Sequence, residues 1–317
     1  MNIQLMRGFF ILLFQAMFFM ASAQTDTVWW KLQSRQGAGL SLRFVSNAPE
    51  IIVQYKPSAH IPTKNTTATA ASGVDLYAID SDGMWHWAAP SIWIPDSGNY
   101  IFSQLRANDN FHKLGREYEL FFPLHNSIED LQIGVPQGTL FNVLPIRPEK
   151  PIVVFGSSIV KGEGASRPGL AWTNVLSRQL DRNVVKLVFS GNGILEKDLI
   201  EQVNQIDARI YVFDGLLDLA SAPLDSIHLM QSVIDAIKVI RARHPQTPIL
   251  CTEHAGYADG YLHPNRQSYA DLSNRVLAAA LNQFKGENTN GLHLLTQKEI
   301  NIQLDEMSDG AHPNDIG

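Results

Sequence analysis

Only one residue of the 317 is cysteine, Cys251, so no intrachain disulfide is possible. Cys251 stands in an apolar, strand-like run and reads as an inert core thiol. A run of basic residues is also missing. Lys and Arg number 25 against 31 Asp and Glu, a formal net charge of -6, which argues against nucleic acid or an anionic membrane as the main partner. There is no internal repeat and no low-complexity tract. The ten histidines form no H-E-x-x-H pattern and no clustered His/Cys spacing, so no zinc site is expected. The stretch from Gly156 to Gly164 lacks the G-x-x-x-x-G-K-[ST] spacing of a phosphate loop. Its Gly162-x-Gly164 pair is too short a signal for a dinucleotide site. No metal and no cofactor is therefore expected.

The N-terminal segment stands apart from the rest. Arg7 precedes an apolar run from Gly8 to Met20, followed by Ala21-Ser22-Ala23. A basic start, a short apolar core and an A-x-A site describe a secretory signal peptide cleaved after Ala23. The run is short for a membrane span of about 20 residues. No cysteine follows the site, which argues against a lipid-anchored form. The mature chain is expected to be secreted or periplasmic, with no stable membrane insertion after cleavage. Length alone favours two domains.

From about Thr27 to Leu144 the pattern is short strands and turns. Leu40 to Phe44, Ile51 to Tyr55, Tyr100 to Phe102 and Tyr118 to Phe122 read as strands, separated by Pro, Gly, Asn and Asp clusters. No helical period appears, and the expectation is an all-β sandwich over residues 24–147. Trp85-His86-Trp87 would place both tryptophans on one face of a strand. That face could be core or a sugar-stacking platform, and core is the commoner case. Asn65-Thr66-Thr67 matches a glycosylation sequon, a match common by chance. Leu144-Pro145-Ile146-Arg147-Pro148-Glu149-Lys150 reads as a stiff linker.

Residues 148–317 alternate strand and helix. Ile152-Val153-Val154-Phe155, with no polar interruption, predicts a strand buried on both faces, as in parallel sheets. Further strand-like runs are Val184 to Phe189, Arg209 to Phe213, Ile249 to Thr252 and, more weakly, Leu292 to Leu295. Helical periods run through Ile227, Met230, Ile234, Ile237 and Arg241, and through Tyr269, Leu272, Val276 and Ala279. The expected architecture is α/β, a doubly wound, mostly parallel sheet. Gly156-Ser157-Ser158 follows the central strand at its carboxyl end, where open α/β sheets keep their ligands. A serine hydroxyl is a poor nucleophile until an imidazole takes its proton. His312 can serve as that base, and Asp309, three residues earlier across a Gly-containing turn, can orient its ring. Each residue also has a plain reading: Ser158 as a helix N-cap, Asp-Gly-x-His-Pro as a turn. Glu253-His254-Ala255-Gly256-Tyr257 follows another strand end. Its His254 and Tyr257 are candidates to line a substrate pocket, and His254 is equally readable as a structural histidine.

Gly73-Val74-Asp75-Leu76-Tyr77 resembles the Gly-x-Asp-Leu-Tyr motif of the β-sandwich that precedes a secreted bacterial group of SGNH (GDSL-like) hydrolases. Arg116 to Leu120, Pro123-Leu124 and Leu131 to Val135 resemble the same domain. Gly156-Ser157-Ser158-Ile159 resembles the first SGNH block, and Pro168-Gly169 with Trp172-Thr173-Asn174 resembles the segment after it. Phe189-Ser190-Gly191-Asn192-Gly193 is similar to the second block, and Ser308 to Asp315 to the last, Asp-x-x-His. The resemblance implies a flavodoxin-like hydrolase domain behind a jelly-roll-like sandwich. It implies Ser158 as nucleophile, with Asp309 and His312 completing the triad. The oxyanion donors it implies come from Ser158, Gly191 and Asn192 and from the position of Asp218, where the family usually carries Asn. A carboxylate there accepts rather than donates, which leaves three outcomes: Asp218 stays protonated and donates, Asn192 supplies the missing amide, or the enzyme is weak. The favoured one is a weakened enzyme, with partial compensation from Asn192 and the backbone N–H groups of Ser158 and Gly191. The implied function is a secreted serine esterase removing acyl groups, acetyl among them, from a small acyl ester or acylated glycan. The alternative is a weak or inactive carbohydrate-binding protein on the same scaffold. The family continues into a further helix, so the natural chain is expected to extend beyond Gly317.

Overall fold

The structure is a computed structural model that describes residues 3–6, 39–57, 66–94, 97–106, 114–188, 195–214, 226–285 and 290–317. The chain divides into two compact units, Met1–Arg147 with Ser166–Leu170, and Pro148–Ala165 with Ala171–Gly317.

The first unit holds strands β1 (Ile3–Met6), β2 (Ser41–Ser46), β3 (Ile51–Pro57), β4 (Asp75–Ile79), β5 (Trp85–Ala88), β6 (Ile92–Ile94), β7 (Asn99–Phe102), β8 (Arg116–Phe121), β9 (Ile128–Pro136) and β10 (Phe141–Val143). Two antiparallel sheets form, in the orders β1-β9-β3-β7-β6 and β10-β2-β8-β4-β5. Strand β2 alternates between exposed or partly exposed and fully buried positions, which sends Leu42 and Phe44 into the core. There they meet Val53, Leu76, Tyr100, Phe102, Tyr118 and Leu120. Each such side chain contributes roughly 1.5–3 kcal/mol by leaving water. Among its described residues is a short α-helix, α1 (Ala68–Ser72), capped by the Thr67 side chain, which is too brief to show a period in the sequence. Of the expected leader, residues 7–23 lie outside the described residues, while β1 runs antiparallel to β9.

The Gly-x-Asp-Leu-Tyr motif organises one face of this unit. The buried Asp75 accepts hydrogen bonds from Trp87 Nε1 at 2.8 Å, Arg167 at 2.7 Å and the Gly169 backbone N–H at 2.8 Å. Arg167 also donates to the Tyr77 hydroxyl at 2.8 Å and lies 4.1 Å over the Trp87 ring. A side chain on Gly169 would strike Tyr77 and Asp75. Trp87 is therefore neither buried core nor a bare platform: it is 47% exposed, with Arg167 on one face.

The second unit holds β11 (Ile152–Gly156), β12 (Val184–Val188), β13 (Ile210–Asp214), β14 (Ile249–Thr252) and β15 (Leu292–Leu295), all parallel, in the order β12-β11-β13-β14-β15. That is the flavodoxin-like order. Every residue of β11 is buried, as its unbroken apolar run implies. Helices α2 (Ser158–Lys161), α3 (Trp172–Leu180), α4 (Lys197–Val203), α5 (Ser226–Arg243), α6 (Pro264–Asn282) and α7 (Gln297–Ile300) connect and cover the strands. Among the described residues, no helix is long and apolar enough to cross a membrane.

Candidate active site

The parallel register aligns Gly156, Asp214, Thr252 and Leu295 as a row across the carboxyl ends of β11, β13, β14 and β15. Gly156 is needed there, because a Cβ would run into the Asp214 carbonyl and the Val160 side chain. The chain turns at once into α2, whose first residue is Ser158. Ser157 is buried and makes no side-chain cap bond. Ser158 Oγ lies 2.8 Å from His312 Nε2, across 154 positions of sequence.

His312 is held from its other side. Its Nδ1 lies 2.8 Å from Asp309 Oδ2, while Asp309 Oδ1 accepts the backbone N–H groups of Ala311 at 3.0 Å and His312 at 2.9 Å. Burial would raise the Asp309 carboxyl. The hydrogen bond from the His312 ring, its backbone N–H and its charge outweigh this and hold Asp309 at about 2. Asp309 is thus ionised and can only accept, so Nδ1 carries the ring proton. In the neutral ring the Nε2 lone pair is then left to accept from the Ser158 hydroxyl. The turn is closed by Ser308 N–H donating to the His312 carbonyl at 2.8 Å and by the bridge between Met307 and Pro313. Gly310 takes φ +82°, a left-handed conformation that suits glycine.

Ser158, Asp309 and His312, named from the sequence, are thus brought into one hydrogen-bonded chain. His254 is buried. Its Nδ1 accepts the Gly256 N–H at 2.9 Å, its ring lies 4.6 Å from that of Tyr257, and its backbone N–H donates to Asn274 at 2.8 Å. Gly191, Asn192 and Asp218 lie outside the described residues. Sequence reasoning missed Asp214, whose Oδ1 accepts the Thr252 hydroxyl and whose Oδ2 is shut off from solvent. Burial pushes this carboxyl up, with the Thr252 hydrogen bond opposing. A single Asp at a strand end carries no signal by which it could have been found. Among the described residues, no three His, Cys, Asp or Glu side chains gather as they would around a metal ion.

A parallel sheet in this order, with a serine–histidine–aspartate chain at its carboxyl edge, following in sequence a unit built on two antiparallel sheets, defines an SGNH-type α/β protein. Residues 149–317 match the GDSL-like lipase/acylhydrolase family, and the chain belongs to it. Residues 20–141 match the N-terminus of SGNH-hydrolase-type esterases. A protein from Bacteroides ovatus described as a GDSL-like lipase superposes with TM-score 0.79 at 27% identity, over 90% of this chain and 82% of its own. A salicylyl-acyltransferase from a tetracycline biosynthetic pathway gives 0.72 at 16%, over 96% and 84%. A family two carbohydrate esterase from Cellvibrio japonicus gives 0.57 at 13%, over 89% and 85%. The last two likenesses are of fold. No curated protein matches the chain by sequence.

Proposed function

We propose that the chain is a secreted serine esterase that removes acyl groups, acetyl among them, from carbohydrate. The observation that carries the reaction is the Ser158–His312–Asp309 chain, with 2.8 Å at both links. In this reading Ser158 Oγ attacks the ester carbonyl carbon as its proton passes to His312 Nε2. Asp309, held ionised, stabilises the resulting imidazolium. The oxyanion of the tetrahedral intermediate is met by the backbone N–H of Ser158, which as a first-turn N–H has no partner within its helix. Gly191 and Asn192 are proposed to contribute the other donors. His312 then returns its proton to the departing alcohol oxygen, leaving an acyl group on Ser158. Water, deprotonated by His312, attacks that ester, and His312 gives the proton to Ser158 Oγ as the acid departs.

Carbohydrate as the alcohol is supported by the fold shared with the Cellvibrio japonicus carbohydrate esterase. Secretion is supported by the apolar run after Arg7 and the Ala21-Ser22-Ala23 site. An intact hydrogen-bonded triad weighs against a scaffold that has lost its chemistry. The test is acid release from a panel of acetylated glycans and short-chain acyl esters. Wild type should release acetate, and Ser158→Ala should cut turnover on the order of a million-fold. Ser157→Ala should remain active. No turnover of any ester by wild type, or a dead Ser157→Ala beside an active Ser158→Ala, would sink the assignment.

A further inference from the structure

The turn that carries Asp309 and His312 is part of no regular strand or long helix, yet it must hold an imidazole within hydrogen-bond reach of Ser158. Its support comes from the segment after β14. The Ala258 N–H donates to the Gly310 carbonyl at 2.9 Å. The Asp259 carboxylate lies against Gly310 itself: a Cβ built there would stand 3.1–3.3 Å from Asp259 Cγ, Oδ1 and Oδ2. Asp259 is in turn gripped by Arg266 on the first turns of α6, through Nη1 to Oδ2. The same guanidinium lies 4.3 Å over the Tyr257 ring, and Tyr257 meets the buried His254 at 4.6 Å. His254 is tied back to α6 through Asn274, whose Oδ1 accepts the His254 backbone N–H at 2.8 Å and whose Nδ2 donates to the His254 carbonyl at 3.1 Å. One continuous path of packed and hydrogen-bonded groups therefore runs from α6 through Arg266, Asp259 and Gly310 to Asp309 and His312.

We propose that Arg266 is a positioning residue, which holds Asp259 and Tyr257 so that the Gly310 turn presents His312 to Ser158. Arg266 suits the role because a planar guanidinium can pair with a carboxylate and stack on a ring at once. Lysine can keep the charge beside Asp259 but cannot stack in the same way. The consequence is specific. Without the guanidinium, the Asp259 carboxylate facing Gly310 loses its close cation and keeps the more distant His263 ring, 3.9 Å from Oδ2, so the turn that carries His312 loses a brace. Small misplacements of a catalytic base are costly to the chemical step and nearly silent in substrate binding.

This inference rests on the esterase reading for its kinetic readout, so the test pairs kinetics with a signal independent of turnover. That signal is the downfield NMR proton of the His312 ring Nδ1–H, identified by its absence in His312→Gln. Arg266→Ala should lower kcat on the order of ten-fold on a short-chain acyl ester, leave KM within about two-fold, and broaden or lose the ring-proton signal by exchange. Arg266→Lys should recover part of both. If Arg266→Ala does not fold, Arg266→Gln, which keeps a polar stem without the charge or the stacked guanidinium, is read by the same two measures. An Arg266→Ala protein that keeps the ring-proton signal of wild type overturns the proposal, whatever its kcat. A wild type that shows the signal but cleaves no ester would end the esterase reading and leave the NMR comparison to decide this one.

Discussion

Lys186 should make the second unit less stable at neutral pH than at alkaline pH, and replacing it by methionine should remove that dependence. The residue sits in β12 between Val184 and Val188, on the strand face that those valines share, opposite Val154. Its cross-strand neighbour Val154 and its strand neighbour Val184 belong to an apolar cluster with Ile152, Val160 and Val212, against which Trp172 and Leu176 pack. Its Nζ is buried and has no hydrogen-bond partner among the described residues. Burial alone lowers its pKa from 10.5 to about 7. At about 1.4 kcal/mol per tenfold in proton affinity, that gap is a penalty on the order of 5 kcal/mol. Between the two values the unfolded chain holds the proton and the fold does not, so this residue's share of stability rises with pH. Its penalty is complete below about pH 7 and gone above about 10.5. The buried Cys251, pushed up to about 12 by desolvation, works the other way once an unfolded thiol ionises near pH 8.5. The clean window is therefore about pH 7 to 8.5. Lys186→Met fills the same space without a charge. Urea unfolding of both proteins across that window should show the variant more stable by several kcal/mol at about pH 7, with the gap closing by about 2 kcal/mol toward pH 8.5. A gap that stays constant, or a variant less stable than wild type throughout, would refute the reasoning.

Asp75→Ala should destabilise the first unit by about 1–3 kcal/mol, since it removes the acceptor shared by the partly buried Arg167 guanidinium and two N–H donors. A thermal melt lowered by less than about 2 °C would show that these bonds are dispensable. If Asp218 holds the proposed oxyanion position, Asp218→Asn should raise kcat about ten-fold or more with little change in KM, because an amide can donate to the oxyanion where a carboxylate repels it. Steady-state kinetics on the best ester decide this, and a clear fall in kcat would remove Asp218 from the oxyanion site.

What the sequence by itself determined is what depends on neighbours along the chain. Ile152 to Phe155 form a buried central strand because an unbroken apolar run has no face to offer water. The alternation in Ser41 to Ser46 sets a half-buried strand for the same reason in reverse. Asp309 meets His312 across a short glycine-containing turn, so a contact between these two was legible from their spacing. Tertiary structure alone decided the rest. Ser158 meets His312 only because parallel strands bring distant turns to one sheet edge, and no local rule spans that separation. Lys186 would pass for the solvent-facing residue of an alternating strand, until α3 and the neighbouring strands close the apolar cluster over it. Asp75 and Arg167 are ordinary charges in sequence, and they become partners only where the fold returns the Ser166–Leu170 segment to the face of β4. Burial and pairing are properties of the closed surface around a residue, and a linear chain does not contain that surface until it has folded.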